Sequence, residues 1–508
     1  MLSRSFKAIA AALAVGLALT ACGGDPAPGG DASTGAPAAE QKMRFVPGFF
    51  PVSLDIANFP AEEGAQLAVQ QTLETLVTFD GTEAKPKLAE SWEYLTPTEL
   101  QFKLRTDVKF SDGTPFTAKD VEASLQRYID ADKAFGVLLR PITEIRVEDD
   151  HTITLVTSEP VGPLVGTMSL IWIGKADQIN DDAYWLKPIG TGPFIIDEYV
   201  ADDRVHYVRN DDYWGEKASL TALEIVNIPE TAAQITALET GEVDAVGSIP
   251  PDQISNAQGL SDVTFEQVDS INYYFIWFNL TRKPFDDVRV RQAMWHALNI
   301  EQTVPDLFGE SATVAGSPIT QSVFGAVDKP QPSYDPEKAK QLLAEAGLPD
   351  GFKASIQWPT NGGPNIQAMA KAFISDWAKV GIQVEPLEKE RATWLEDLGT
   401  LNFDLNMQTN ATPTGDADYT LNRLYTCAAE RMGYCNPELD KILADARASL
   451  DQDERKDLYA QAIDILWADA PGMWPVDIRA NVAYRNDVTG LELPATNRPN
   501  FDTVVITE

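Results

Sequence analysis

The sequence predicts an α/β protein organised in two or three lobes. Patterns typical of strands and helices alternate along most of the chain, which favours α/β lobes over a helical bundle or a β-sandwich. The chain has 508 residues, more than a single hydrophobic core organises, so the fold is expected to divide. An early segment shows more strand-like alternation than the rest, and this predicts a strand-rich insertion.

The early elements follow from local patterns. Apolar and polar residues alternate at 102–104 and again at 108–110, which predicts two strands, and Asp112-Gly113 supplies a turn. Thr117 then begins a helix. A further strand is predicted at 152–156. The buried stripe of the helix is formed by residues at helical spacing, Val121, Leu125 and Tyr128.

The later elements repeat a strand–helix order. Helices are predicted from about Thr231 to Gly241, from Asp335 through Ala346, over residues 364–380, and over about 453–468. A strand at 382–384 follows the third helix. The apolar stripes of these helices predict core packing and no cofactor site. The stripe of the third helix comprises Ile366, Met369, Phe373, Trp377 and Val380, and that of the last comprises Leu458, Ala462, Ile465 and Leu466.

The N-terminus predicts export. Two basic residues precede an apolar run at 8–20 that is too short to span a bilayer, so residues 1–21 read as a secretory signal peptide. The stretch LALTAC, residues 17–22, resembles the bacterial lipobox, which predicts acylation of Cys22 and a chain anchored to a membrane. The alternative is a plain signal peptide with an incidental cysteine. Residues 22–41 are rich in Gly, Pro and Ala and are expected to form a flexible stalk.

Charge excludes two classes of partner. The chain holds 40 Lys and Arg against 76 Asp and Glu, a formal net charge of −36. Nucleic-acid binding needs clustered cations, and so does electrostatic adhesion to anionic lipid, so neither is expected. Most of the acids are predicted to form a solvated surface.

The cysteines predict one disulfide. If Cys22 is acylated, Cys427 and Cys435 remain as an even pair in an exported chain, and a disulfide between them is the expectation. A metal-binding pair is the competing interpretation, but no histidine is near either cysteine.

No enzyme signature is present. The three histidines, His151, His206 and His296, are far apart in sequence, and none has a zinc-type neighbour. Gly190-Thr-Gly192 begins like a dinucleotide motif, but Ile195 stands where the third glycine belongs. We therefore predict that the protein is not an enzyme and carries no cofactor, with an unrecognised hydrolase as the alternative.

Long stretches of the chain resemble one family, the peptide/nickel solute-binding proteins of ABC importers. The stretches cover nearly the whole chain after the stalk, in the family's order. They are KLAESWEYLTPTELQFKLRTDVKFSDGTPFTAKDVEASLQRY (87–128), PIGTGPF (188–194), RNDDYWG (209–215), ALETGEVDAV (237–246), FNLTRKPFDDVRVRQAM (278–294), YDPEKAKQLLAEAGLPDGF (334–352) and the helix at 453–468.

The resemblance implies a two-lobed periplasmic-binding-protein fold with an extra strand-rich subdomain on lobe one. It implies an extracytoplasmic monomer, on the periplasmic side or the cell surface, that closes over a solute and docks on a permease with its ATPase. The implied boundaries are lobe one at 42–275 plus 483–508, its subdomain at about 73–187, lobe two at 276–482, and hinge crossings near 274–279 and 476–481.

Family members that take peptides use a Gly-Asp pair to bind the peptide ammonium. The corresponding stretch here, TPTGDADYTLNRLYTC (412–427), makes Asp416 the implied partner and Asp418 the near alternative. The competing interpretation is two solvated loop acids. The further candidate ligand contacts are Tyr274, Trp358, Asn361 and Arg391.

Two departures from the family pattern leave the ligand open. A family Trp before the Gly-Asp is replaced by Thr412-Pro413-Thr414, and the family Arg that binds the peptide carboxylate has Trp358 as its nearest match. Arg391 or Arg423 is a substitute by neighbourhood alone, or a surface arginine. We expect a peptide or a small amine-bearing solute, with a nickel or metal chelate as the alternative. A surface lipoprotein with a sensory or structural role is the alternative from a different class.

Overall fold

The computed structural model describes residues 38, 40–58, 63–79, 83–133, 135–360, 362–363 and 365–508. The signal peptide, Cys22 and most of the stalk lie outside these residues. The strands are β1 Lys42–Val46, β2 Glu74–Thr75, β3 Val77–Phe79, β4 Ala84–Pro86, β5 Ala89–Thr96, β6 Glu99–Leu104, β7 Ile142–Asp149, β8 Thr152–Thr157, β9 Trp172–Ile173, β10 Phe194–Val200, β11 Arg204–Arg209, β12 Ala222–Val226, β13 Ala245–Gly247, β14 Val263–Phe278, β15 Ala312–Val314, β16 Lys353–Pro359, β17 Gln383–Lys389, β18 Leu405–Ala411, β19 Gly472–Arg485, β20 Val488–Thr489 and β21 Val505–Ile506.

Helices alternate with these strands, and the predicted mixed α/β architecture is confirmed. No helix of the described residues is both long and apolar enough to cross a membrane. The helices are α1 Glu63–Val69, α2 Ala118–Ala131, α3 Leu164–Thr167, α4 Thr231–Thr240, α5 Pro251–Gln258, α6 Val288–His296, α7 Ile300–Phe308, α8 Pro336–Glu345, α9 Ile366–Ala378, α10 Arg391–Gly399, α11 Ala417–Tyr425, α12 Pro437–Ala448 and α13 Gln452–Asp469.

One large mixed sheet runs through the fold in the order β10-β11-β12-β1-β13-β19-β14-β18-β16-β17, with β15 paired to β19. The long strands β14 and β19 pair antiparallel at its centre, from Val263 opposite Arg485 to Trp277 opposite Gly472. The ladder is irregular between Asp269 and Asn272. A bulge of this kind bends a strand and re-aims its side chains, and this one lies where the strands pass from one core to the other.

Two large hydrophobic cores flank this passage. One gathers apolar side chains from β1 to β12 together with the C-terminal segment. The other gathers side chains from Ile271 to Val476. In β14 the change from one core region to the other falls at about 266–271, earlier than the crossing implied at 274–279, and in β19 it falls between Val476 and Val482. The lobe boundaries themselves stay predictions.

The strand-rich insertion is a four-stranded antiparallel sheet, β5-β6-β8-β7, with α2 packed on it. Asp120 fixes the start of α2, because its carboxylate accepts hydrogen bonds from the Thr117 backbone NH at 2.8 Å and from its hydroxyl at 3.0 Å. The predicted strand at 108–110 is wrong. The segment forms a single bridge between Lys109 and Pro115, since the turn at Gly113 reverses the chain before a ladder develops.

The later helices begin and end close to the predicted residues. Gly241 and Gly347 adopt positive φ angles of 72° and 81°, which only glycine reaches without strain. Gly241 caps the end of α4, and Gly347 follows Ala346, the residue that caps α8. Helix α9 is shorter than predicted at both ends, and residue 364 lies outside the described part of the chain. In α13 the fully buried stripe is Tyr459, Ala462, Ile463 and Leu466, one position away from Leu458 and Ile465, which pack at its margin.

Candidate functional site

A cavity of about 710 Å³ is the candidate binding site. Its lining comes from elements that pack in both cores, α1 and the C-terminal segment in the first and β14, β18 and α11 in the second. Its volume lies within the roughly 300–1,000 Å³ typical of small-molecule sites. We call it the central cavity. The polar side chains that line it are Glu63, Gln66, Lys133, Asn272, Arg391, Thr409, Asn410, Tyr419, Arg423, Thr496 and Arg498.

Two smaller cavities share walls with the central cavity. One of about 370 Å³ shares Glu63, Asn272 and Thr409 with it. The other, of about 200 Å³, shares Pro413 and Arg498. The three cavities together therefore offer room for a solute larger than a single amino acid.

The antiparallel pairing of β14 with β18 builds one wall. Asn272 lies opposite Ala411 and Tyr273 opposite Asn410, directly after the β14 irregularity. The Asn410 amide is fixed on both sides. Its Nδ2 donates to Tyr273 Oη at 2.9 Å, and its Oδ1 accepts from Arg423 Nη2 at 2.8 Å. This wall therefore presents an ordered polar surface formed by the Asn410 amide and the Arg423 guanidinium.

Arg423 has no carboxylate partner within ion-pair distance among the described residues. Its guanidinium lies 4.7 Å from the centre of the Tyr419 ring, one turn earlier in α11. Its Nε is buried and makes no hydrogen bond in the described part of the chain. The side chain is thus held by an amide and an aromatic face while its charge stays uncompensated.

Glu63, from α1, and Arg498, from the C-terminal segment, also line the central cavity. Glu63 accepts a hydrogen bond from Asn497 Nδ2 at 2.7 Å. Burial raises the pKa of Glu63 to about 7. Arg498 is 9% exposed, and burial lowers its pKa to about 10 against the attraction of Glu63. Its Nη1 is buried without a hydrogen-bond partner in the described chain.

Arg391, one of the candidates from the sequence, lines the same cavity as Arg423. It is the first residue of α10 and is exposed. The structure thus brings together the two arginines that were related by neighbourhood alone. Whether either contacts a ligand stays a prediction.

Asp416 is buried in an ion pair. It is 6% exposed, and both of its carboxylate oxygens lie 2.8 Å from Arg455 Nη2. One of them also accepts the Asp418 backbone NH at 3.0 Å, which caps α11. Burial raises the pKa of Asp416, and the Arg455 guanidinium opposes that rise. Its charge is therefore already compensated by the protein.

Asp418 is compensated in the same way. It is 5% exposed and accepts from Arg447 Nη2 at 2.9 Å and from Asn422 Nδ2 at 2.7 Å. Neither aspartate is a solvated loop acid, which was the competing interpretation. Together the two pairs tie the start of α11 to α12 and α13.

The other predicted contacts lie in different surroundings. Tyr274 and Trp358 belong to the hydrophobic core around β14 and β16, and Trp358 is 2% exposed. The Tyr274 ring packs 5.9 Å from Phe308. Asn361 lies outside the described residues. In this conformation neither Tyr274 nor Trp358 lines the central cavity.

Cys427 and Cys435 form the predicted disulfide, with an S–S distance of 2.08 Å. The bridge closes the loop that follows α11. It lies directly after the C-terminal end of α11 and not in the lining of the central cavity.

Sequence reasoning missed Glu63, Asn272 and Arg498. Arg498 belongs to the C-terminal segment, whose apolar neighbours Leu491 and Phe501 pack in the first core, so only the fold brings it into the same cavity as Arg423. The sequence contained one weak indication of the role of Arg498. An arginine flanked by Asn497 and Pro499 near the C-terminus has no acidic neighbour in a very acidic chain.

Comparison with known proteins assigns the architecture. Residues 83–431 match the family described as bacterial extracellular solute-binding proteins, family 5 Middle. The dipeptide-binding protein of Escherichia coli is 28% identical over 465 residues, covering 84% of this chain and 86% of the relative. Heme-binding protein A of Haemophilus influenzae is 29% identical over 452 residues, covering 79% and 81%.

Solved structures agree. HbpA2 of Haemophilus parasuis superposes with a TM-score of 0.82 at 26% identity, covering 92% of this chain and all of its own. The periplasmic binding protein DppA of Helicobacter pylori, in complex with the peptide STSA, gives 0.78 at 25% identity, covering 92% and 98%. The predicted fold class is confirmed by these likenesses.

Proposed function

Because the chain belongs to the bacterial extracellular solute-binding proteins of family 5, we propose that it captures a peptide-like solute in the central cavity and delivers it to an ABC permease. A protein of this family is not an enzyme, in agreement with the prediction. The observation that carries the proposal is a cavity of about 710 Å³ whose walls come from both cores.

The ligand class rests on the relatives. Those named above bind a dipeptide, a tetrapeptide or heme by their names, and another is a glutathione-binding protein of Pectobacterium atrosepticum, 28% identical over 428 residues. Three of these four ligands are peptides or peptide-like. The polar lining of the central cavity suits such a solute, since amides and carboxylates need hydrogen-bond partners when they leave water.

Capture would proceed by hinge closure. The two cores are joined by the long pair β14 and β19, and the irregularity at Asp269 to Asn272 gives this pair a natural bending point. A ligand that contacts both walls stabilises the closed form by its greater affinity for that form. In this proposal lobe one comprises 42–275 with 483–508 and lobe two comprises 276–482.

Lipid attachment at Cys22 and the stalk at 22–41 complete the proposal. They would hold the binding protein beside its permease while leaving it free to turn. A sensory or structural lipoprotein would share this anchor, so the anchor alone does not separate the two roles. Uptake does. Deletion of the gene should abolish import of the ligand, and a purely structural role would leave import unchanged.

The partner of a ligand ammonium is the open point within the proposal. The family resemblance implies Asp416, whose carboxylate already contacts Arg455. Glu63 is the second candidate, because it lines the central cavity, accepts a hydrogen bond from the Asn497 amide and has no cation at ion-pair distance in the described chain. Asp416→Asn and Glu63→Gln separate the two. The variant that removes the true partner weakens binding of the free ligand and has no effect on binding of its N-acetylated form.

Native mass spectrometry of the purified protein identifies the ligand, and calorimetry with that ligand measures its affinity. The proposal predicts a peptide or peptide-like mass that is lost on denaturation. A metal chelate or heme would contradict the peptide assignment and leave the binding-protein function in place. Direct metal binding has no support in the described residues, where no cluster of three or more His, Cys, Asp or Glu could hold an ion.

A further inference from the structure

The charge of the central cavity is opposite to that of the protein. The whole chain has nearly two acidic residues for each basic one, 76 against 40. The central cavity reverses this ratio, because four cationic side chains line it and Glu63 is its one carboxyl group among the described residues. The four are Lys133, Arg391, Arg423 and Arg498.

Burying these cations in a cavity without a ligand costs free energy of folding. Arg498 is 9% exposed, and its Nη1 is buried with no hydrogen-bond acceptor among the described residues. A buried guanidinium nitrogen that lacks a hydrogen-bond acceptor is destabilising, and the single carboxyl group near Arg498, Glu63, leaves this nitrogen unpaired. Proteins retain such groups where a ligand supplies the partner, since arginine binds carboxylates and phosphates in a two-pronged geometry.

A second arginine of the cavity, Arg423, has the same feature as Arg498. Arg423 also has a buried nitrogen without an acceptor in the described chain, its Nε. Desolvation and the charge of Arg423 lower the pKa of Arg431, so a second cation is close enough to be repelled by it. The cavity therefore contains two arginines with a buried nitrogen that lacks an acceptor. Arg498 lies near Glu63, which attracts it, and Arg423 has no carboxylate at ion-pair distance in the described chain.

We propose that the solute carries at least two anionic groups, carboxylates in a peptide-like ligand, and that it bridges Arg498 on one wall to Arg423 on the other. The inference deepens the proposed function, on which it rests, by naming the charge class of the solute. A dianion compensates both arginines at once, so its binding is coupled to closure, whereas a monoanion compensates one wall only.

Calorimetry with three dipeptides tests the charge class. Glu-Glu and Gln-Gln have nearly the same shape but differ by two carboxylates, and Lys-Lys reverses the side-chain charge. Glu-Glu should bind at least about tenfold tighter than Gln-Gln, the size expected for a desolvated charge contact. Lys-Lys should bind most weakly. Equal or tighter binding of Gln-Gln or Lys-Lys would overturn the inference and leave the peptide function intact.

Variants locate the contacts. Arg423→Gln and Arg498→Gln should each remove most of the preference for Glu-Glu over Gln-Gln, because each deletes one anchor. The matched control is Arg204→Gln, since Arg204 is bound to Glu198 and Asp203 on the β10–β11 hairpin and does not line the central cavity. A preference that survives in both cavity variants would contradict the bridge. Small-angle scattering should show compaction with Glu-Glu in the wild type and not in either cavity variant.

A non-peptide arm distinguishes this inference from the proposed function. Citrate supplies three carboxylates without a peptide bond. Binding of citrate alone, lost in Arg423→Gln and Arg498→Gln, would support the anionic site and reject the peptide function. Binding of no anionic compound, with Gln-Gln or Lys-Lys bound, would do the reverse. Failure of every anionic probe overturns the inference.

Discussion

Asp416→Asn is expected to destabilise the fold through Arg455, whatever it does to ligand binding. Asparagine is nearly isosteric with aspartate and is itself a good N-cap, so it can keep the hydrogen bond from the Asp418 backbone NH. The change therefore removes mainly the charge. It leaves Arg455, whose side chain is 5% exposed, without its carboxylate.

The size of the effect follows from the burial of both partners. Removing one member of a buried ion pair typically costs about 3–5 kcal/mol, because the other charge stays desolvated. Arg455 keeps bonds to Ala446 O at 3.1 Å and to Tyr459 Oη at 2.9 Å, which favours the lower end of that range. An exposed pair contributes at most about 1 kcal/mol. The matched control is Asp445→Asn, which breaks the exposed pair with Lys441 on α12.

Urea unfolding followed by tryptophan fluorescence measures both variants against the wild type. The double variant Asp416→Asn/Arg455→Met should be more stable than Asp416→Asn alone, because it removes the orphaned charge together with its partner. An Asp416→Asn protein that unfolds within about 1 kcal/mol of the wild type would refute the reasoning. That result would show that the fold does not require the Asp416 carboxylate, which would then be available to bind the ligand.

Three further predictions concern other parts of the chain. Cys22→Ser should move the protein from the membrane pellet to the soluble fraction, and unchanged pelleting would contradict the lipobox interpretation. Reduction of the Cys427–Cys435 disulfide, or its replacement by serines, should lower the free energy of unfolding by about 2–3 kcal/mol on the loop-entropy estimate, while two free thiols in the denatured, non-reduced protein would rule the bridge out. Burial, with the charge of Asp269, raises the pKa of Asp477 from 3.8 to about 8, so the folded state holds a proton that the unfolded state loses above about pH 4. The free energy of unfolding should therefore fall as pH rises from 4 to 8, and Asp477→Asn should remove that part of the fall in unfolding experiments across this range.

The binding site shows where sequence reasoning stops. The segment 412–427 was found from sequence, because a Gly-Asp pair and a following cysteine pair are local features. The ion pairs of its two aspartates were not predicted. Arg455 and Arg447 lie 39 and 29 residues away from the aspartates that they neutralise, and no local pattern shows that pairing.

The sequence by itself determined the α/β class, the start of α2, the limits of α4 and α8, the disulfide and the family, because caps, helix-ending glycines and long ordered motifs act within or across short stretches of chain. Only the tertiary structure decided which charges are compensated. Asp416 is neutralised by Arg455 of α13 and Asp418 by Arg447 of α12. Arg423 and Arg498, which are 75 positions apart in the numbering, line one cavity with no acid at ion-pair distance in the described chain. The reason is physical. The electrostatic state of a group depends on what surrounds it in space and on how much water it keeps, and both are set when distant segments pack together.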